Sequence, residues 1–437
     1  MKSKVLSAAA AVLALAFAAV APPAFAELQI DITRGVTDPI AIAIVPFAKA
    51  VPADGGLDVA GVIQSDLESS GRFRPMARRD MLGTPTRAAD VQVPDWRTAR
   101  NDYIVVGRVV PAAAGELTIE FDVMNLLTSQ LLLTQTLRVP QASLRHGAHR
   151  VADLIHEKIT GIRGAFATRI AYVSVDGAPP NQRFQLLVAD TDGENMRVIM
   201  ESRQPIMSPA WSPDGQWIAY VSFENRASAV FLQRVRTGER RQISARAGIN
   251  GAPSFSPDGT RLALTLSGSS GNLDIYVLEL ATQQLTRITE DAAIDTEATW
   301  SPDGRFLYFT SDRAGQPQVY RVGAQAGDRP KRITFGTPYA ARPRLSPDGT
   351  QLAFVTQEGG GFRIASMDLA TNQLRTLSRG GLDESPSFAP NGVQLIYAGR
   401  ERGQGVLAMT SIDGQVTQRL KSDQGEVREP VWGPFSN

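Results

Sequence analysis

His146, His149 and His156 are the only three histidines in this 437-residue sequence, and they cluster in one short stretch. Imidazole is a common metal ligand and the side chain that titrates near neutral pH. At 3.6 residues per turn the three fall on roughly one face of a helix. A metal would need a further ligand converging from elsewhere, so surface or partly buried helical histidines are the expected reading and no metal site is assigned. The chain has no cysteine, which removes thiol catalysis, disulfides and cysteine-based zinc sites together. No histidine follows position 156 and there is no Gly-x-Ser-x-Gly elbow, so the C-terminal part cannot assemble a Ser-His-Asp triad. Asp190-Thr-Asp-Gly-Glu-Asn195 has a trace of a calcium loop but lacks the later bidentate glutamate, and it reads as a hairpin turn. Carboxylates such as Glu297 and Glu384 could do paired acid–base work, yet nothing in the sequence fixes their separation. No cofactor is expected. The 45 basic residues against 44 acidic ones leave no electrostatic footprint for nucleic acid.

The elements that would carry these residues begin after a leader. Lys2 and Lys4, the apolar run Val5 to Val20 and Ala24-Phe-Ala26 read as a signal peptide, residues 1–26, cleaved before Glu27. The mature chain is expected in an exported compartment, without direct membrane insertion. Residues 27–38 form a detachable terminal strand, because Glu27 to Thr33 alternates and is followed by a Gly- and Pro-containing joint. Residues 39–162 read as a small α/β sandwich. Ile40 to Phe47 is an interior strand, Asp58 to Ser69 and Ser143 to Thr160 are amphipathic helices, and three strand-like runs lie between Tyr103 and Val139. The stretch around Trp96 is read as irregular.

From residue 163 to 437 the pattern becomes repetitive. Pro209-Ala-Trp-Ser-Pro-Asp-Gly-Gln-Trp-Ile-Ala-Tyr-Val-Ser222 returns with variations four times, and the anchors Trp211, Phe255, Trp300, Leu345, Phe388 and Trp432 recur at 43 to 45 residues. That period with short strands marks a β-propeller. Arg169 to Ser174 matches only the second half of the repeat, and Pro430-Val-Trp432 supplies the missing half. The expected fold is therefore mainly β: a six-bladed propeller closed by pairing of its two ends, preceded by the α/β domain. Ser-Pro-Asp-Gly is read as a tight turn, and the aromatic before it as packing between blades.

Binding falls to the loops that enter each innermost strand. Three positions before the anchors stand Ser208, Ala252, Glu297, Arg342, Ser385 and Glu429, with Asn250, Asp295 and Asp383 as polar neighbours. A ring of divergent loops on a repetitive scaffold is a protein- or peptide-docking face.

The leader, the Glu27-to-Phe47 segment, Glu157-Lys-Ile-Thr-Gly-Ile-Arg-Gly-Ala-Phe166 and the six blades together resemble the TolB family. These are periplasmic propeller proteins of the Tol–Pal envelope system of Gram-negative bacteria. The resemblance implies a non-enzymatic, monomeric scaffold. It implies that the N-terminal residues Glu27, Leu28, Gln29, Ile30, Asp31, Ile32 and Thr33 bind TolA. It also implies that the propeller mouth binds the lipoprotein Pal through Ile249, Asn250, Gly251, Ala252, Asp295, Thr296 and Glu297, with Arg342 beside them. Outer-membrane integrity and its invagination during division are the implied role. The alternatives from other classes are a periplasmic sugar- or peptide-binding propeller and a carboxylate-based hydrolase.

Overall fold

Ile40–Ile44 is apolar throughout because both faces of its strand are covered. The computed structural model describes residues 30–32, 39–49, 56–113, 115–268, 271–420 and 425–435; the expected leader, residues 1–26, lies outside them. Ile42 and Ile44 pack on one side with Val59, Ile63 and Leu67 of α1 (Val59–Ser69) and Val151 and Ile155 of α3 (Leu144–Thr160). Ala43 and Val45 pack on the other side with Trp96, Ile104 and Leu126. Each such buried aliphatic side chain contributes on the order of 2 kcal/mol. The sheet runs Phe73–Pro75, Ile40–Ile44, Tyr103–Pro111, Glu116–Asn125, Gln130–Pro140. Its first three strands are parallel and the remainder antiparallel. Asp58 caps α1 by accepting from the Gly61 amide at 3.0 Å, and Gly161 ends α3 at φ 75°. The stretch read as irregular holds a short helix, α2 (Val93–Thr98), whose one buried residue is Trp96. Six residues are too few to display a helical period, so only its proline in the first turn announces it.

The propeller follows from Arg169 onward as six sheets around an axis. Five are four-stranded and begin at the axis with Glu426–Trp432, Ile206–Trp211, Asn250–Phe255, Asp295–Trp300 and Ala340–Leu345. Blade 6 begins with Glu384–Phe388 and carries a fifth strand, Ile30–Ile32, on its outer edge. Closure is as expected: Glu426–Trp432 pairs antiparallel with Arg169–Asp176, setting Val427 opposite Ser174 and Trp432 opposite Ile170. In the turn after Trp211, Ser212 Oγ donates to Asp214 at 2.5 Å, Asp214 accepts from the Gln216 amide at 3.0 Å, and Gly215 takes φ 65°. The same bonds recur at Ser256, Ser301 and Ser346. Hydrogen bonding from Ser256 and Thr260 holds the Asp258 carboxyl down at about 2, so these aspartates are spent on their own turns. The anchors do bridge blades, as when Trp300 Nε1 donates to the Ser254 carbonyl at 3.0 Å.

The two domains meet through buried polar groups. His149 on α3 donates from Nδ1 to Asp66 of α1 at 2.7 Å, and its Nε2 lies 3.5 Å from Asp192 of blade 1. Arg145 grips the same Asp192 oxygen at 3.0 and 2.5 Å. Gln394 Nε2 donates to the Ser69 carbonyl at 3.0 Å across the joint. His149 and His156 are thus buried, not surface, histidines. Burial alone would push the His149 imidazole down, but Asp66, through charge and hydrogen bond, and then Asp192 and Asp190 lift it to about 9. Burial pushes Asp66 up against the same contact. Their shared proton belongs on the imidazole, because a second carboxylate faces its other nitrogen. The folded-state value lies above the unfolded 6.5, so this stabilisation is fully present below about 6.5 and is lost as pH rises through about 9. Denaturant midpoints measured across that window should fall with pH, and His149→Gln should flatten the slope. His149→Ala should cost about 3 kcal/mol or more by leaving Asp66 buried without its partner.

Candidate functional site

Each innermost strand breaks its ladder at one equivalent place. Register shifts fall between Met207 and Ala210, Gly251 and Ser254, Thr296 and Thr299, Ala341 and Arg344, Glu384 and Ser387, and Arg428 and Val431. Inside those bulges Ser208, Ala252, Glu297, Arg342, Ser385 and Glu429 take φ 53°, 43°, 57°, 55°, 55° and 48°. Five of the six precede a proline (Pro209, Pro253, Pro343, Pro386, Pro430), which has no N–H to give a ladder and sits in a sheet only at an edge or bulge. The ring expected as loop tips is therefore a ring of strained strand residues facing the axis. Bulge amides reach the preceding blade. Glu297 N–H donates to Thr265 Oγ1 at 3.2 Å, Arg342 N–H to Thr310 Oγ1 at 3.0 Å, and Ser208 N–H to the Glu429 carboxylate.

Arg342 occupies the centre of the channel. Its guanidinium lies 2.9 Å from Glu297, 3.6 Å from Glu429 and 3.8 Å from Glu384, and it donates to Ser385 Oγ. Burial disfavours this cation, but Glu297, then Glu429 and Glu384 outweigh that and hold it above its usual range. Arg344, a second channel cation that the sequence reading did not single out, donates to the Pro343 carbonyl at 2.8 Å. The space left among these side chains is about 40 Å³, enough for water and not for a substrate. A partner must act at the rim or displace the Arg342 network.

The rim itself is apolar. Asn250 and Asp295 were expected to meet a partner, but both side chains are fully buried. Asn250 Oδ1 accepts from Ser244 Oγ at 2.7 Å and from the Arg246 amide at 2.9 Å, and its Nδ2 donates to the Arg246 carbonyl at 2.7 Å. Asp295 takes Arg313 on both oxygens at 2.9 and 2.8 Å. They build loops and leave the adjacent residue outside. Ile249 is 45% exposed, Ile294 46%, Phe335 66% and Leu382 37%, an apolar arc across blades 3 to 6. Gly251, Ala252, Thr296, Glu297 and Arg342 are half-buried between this arc and the channel. Ile294, Phe335 and Leu382 escaped the sequence reading. The signal was there, since Ile249, Ile294 and Leu382 all stand six positions before an anchor.

The terminal segment sits elsewhere. Ile30, Asp31 and Ile32 pair antiparallel with Gln418, Thr417 and Val416 at the outer edge of blade 6. Glu27, Leu28, Gln29 and Thr33 lie outside the described residues. Removing a three-residue strand would leave blade 6 four-stranded, like the other five.

A closed six-bladed propeller on an α/β domain, with a plugged polar channel beneath an apolar rim, is a scaffold of the kind that docks other proteins on loop faces. The chain belongs to the TolB family. Residues 28–132 match the TolB amino-terminal domain and residues 156–436 the TolB beta propeller domain. It is 49% identical over 412 residues to the Tol-Pal system protein TolB of Thioalkalivibrio sulfidiphilus, covering 94% of each chain. It is also 49% identical over 409 residues to the Tol-Pal system protein TolB of Methylococcus capsulatus, covering 94% of this chain and 95% of the relative. The crystal structure of TolB from Acinetobacter baumannii superposes with a TM-score of 0.86 at 40% identity, over 94% of this chain and all of that one. The chain is thus a component of a Tol-Pal system.

The bulge geometry makes a stability prediction. Ala252 sits at φ 43°, where an L side chain costs about 1–2 kcal/mol. Ala252→Gly should raise the unfolding free energy from denaturant titration by about 1 kcal/mol, and Ala252→Val should lower it. Arg342→Ala, which strips three carboxylates of their shared cation, should cost about 3 kcal/mol in the same assay.

Proposed function

We propose that this chain is a non-enzymatic periplasmic scaffold that links TolA to the lipoprotein Pal. In this role it maintains outer-membrane integrity and aids invagination of that membrane during division. Residues 1–26 direct export, and the mature chain, residues 27–437, acts as a monomer. The observation that carries the reading is the separation of two dissimilar docking elements on one rigid body. An edge strand at Ile30–Ile32 pairs with the outer edge of blade 6, while an apolar arc surrounds a charged channel at the mouth. Membership of the TolB family supports it, since the relatives carry the name Tol-Pal system protein.

TolA takes the segment Glu27 to Thr33 when it leaves the blade, adding main-chain bonds to an extended peptide. Pal takes the mouth, with Ile249, Ile294, Phe335 and Leu382 as anchors and Glu297 and Arg342 supplying polar specificity. Anchors of this kind carry most of an interface's energy. Pal at the mouth biases the docked strand, and the coupling is reciprocal in binding free energy. A sugar- or peptide-sensing propeller would need open space in the channel, and a carboxylate hydrolase would need an unpaired carboxylate. The channel offers about 40 Å³, and Arg342 engages both Glu297 and Glu384.

Binding of purified TolA and Pal to variants of this chain tests the proposal. Deleting residues 27–38 should abolish TolA binding and leave Pal binding intact or tighter. The pair Ile294→Asp and Phe335→Asp should weaken Pal at least about tenfold, roughly 1.4 kcal/mol, with TolA unchanged. Equal loss of both partners in either variant would sink the two-site reading.

A further inference from the structure

On the face carrying the Ser-Pro-Asp-Gly turns, opposite the mouth, blades 1 and 2 enclose a cleft of about 490 Å³. Four arginines line it: Arg169 and Arg197 of blade 1, and Arg234 and Arg236 of blade 2. Elsewhere in the propeller several half-buried arginines face carboxylates at short range. Arg240 meets Glu224 at 2.9 Å, Arg287 meets Asp274 at 2.7 Å and Arg313 meets Asp295 at 2.8 Å. In the cleft Arg169, Arg197 and Arg236 are exposed and Arg234 is half-buried. Among the described residues, Arg169, Arg197 and Arg236 make no close ion pair, and Arg234 has only Glu239 at 3.9 Å. Asp190 is the one carboxylate of the lining, and it already accepts from Asn195 Nδ2 at 2.7 Å.

Two of the arginines are nonetheless held by hydrogen bonds. Arg197 Nη2 donates to the Val235 carbonyl at 2.5 Å, which ties the two blades together, and Arg234 Nη2 donates to Gln216 Oε1 at 3.0 Å. Burial and the neighbouring charge of Arg197 both disfavour the Arg169 cation, and Asp190 offsets them only in part. Val188, Ala189 and Val235 supply an apolar wall. The volume falls in the range of small-molecule sites, roughly 300–1,000 Å³. Guanidinium forks match phosphate and carboxylate oxygens two at a time.

We propose that this inter-blade cleft binds a small polyanion bearing phosphate or carboxylate groups, at a site separate from both the channel mouth and the blade 6 edge. Two or more anionic groups on a short frame would complete the charge that the blades leave open. The inference stands independently of the identity of the two protein partners.

Calorimetric titration of the full mature chain with pyrophosphate and, separately, with citrate tests it, each against sodium chloride at matched ionic strength. The expected result is saturable binding of at least one probe with Kd below about 1 mM. Arg169→Gln combined with Arg197→Gln should weaken it at least tenfold, and the exposed Arg236→Gln alone should weaken it by a smaller factor with unfolding unchanged. Arg241→Gln, outside the cleft, should leave it unaltered. Binding of pyrophosphate alone assigns the site to phosphate, and binding of citrate as well assigns it to oxyanions generally. Heats that match chloride, or that are the same in the cleft variants and in Arg241→Gln, would overturn the proposal.

Discussion

The pairing of Glu426–Trp432 with Arg169–Asp176 is the constraint on which the remaining geometry depends. A ring of blades drawn from one chain has two ends, and an unpaired strand edge there would let the ring open. This ladder removes both ends at once. It also fixes the neighbouring domain. Trp432 Nε1 donates to Thr168 Oγ1 at 2.7 Å, the Gly433 amide donates to the Arg169 carbonyl at 2.7 Å, and Asp153 of α3 holds the Phe166 amide at 2.7 Å just upstream. Closure of the propeller and seating of the α/β domain are therefore one packing problem, solved by the last strand laid down.

Once the ring is closed, six bulges face one axis, and their side chains share a single small space. That crowding explains why the channel is polar yet not open. Arg342 needs three carboxylates to offset its desolvation, and those carboxylates come from blades 4, 6 and 1. The network thus reports the relative position of three blades that have no ladder in common. A partner at the rim that disturbed Arg342 would be felt on blade 6, whose far edge holds Ile30–Ile32. The path is physical, since Glu384 opens the same sheet that Val416–Arg419 and Ile30–Ile32 complete.

Much of the fold was legible in the sequence, because a propeller repeats its turn chemistry. Ser-Pro-Asp-Gly named the hairpins, the anchors named the spacing, and the half-repeats at Arg169 and Trp432 named the closure. The short helix around Trp96 was not legible, since six residues show no period. The site was read less well, for two reasons. The proline two positions before five of the six anchors reads as part of a motif, whereas its missing N–H favours the bulge that turns residues such as Arg342 and Glu429 inward; Glu297 takes the same bulge ahead of Ala298. Asn250 and Asp295 were valued for being polar, but polar residues at loop bases are spent on the backbone around them. The exposed neighbours Ile249, Ile294 and Leu382 are apolar residues in loops, and their common place six positions before an anchor shows only when the repeats are aligned on those anchors. Blade-to-blade neighbours such as Arg169 and Arg234 are far apart in sequence, so their cleft had no linear signal at all.

The proposed scaffold role requires the mouth and the blade 6 edge to act as distinct docking elements on one propeller. Amide hydrogen exchange on the intact mature chain, with and without saturating Pal, addresses it directly. The expected result is protection of peptides spanning Ile249–Ala252, Ile294–Glu297, Phe335–Arg342 and Leu382–Ser385, a changed exchange rate at Ile30–Ile32 and Val416–Gln418, and no change at the Ser-Pro-Asp-Gly turns. Protection confined to the turn face, or to the blade 6 edge with the mouth unchanged, would contradict it.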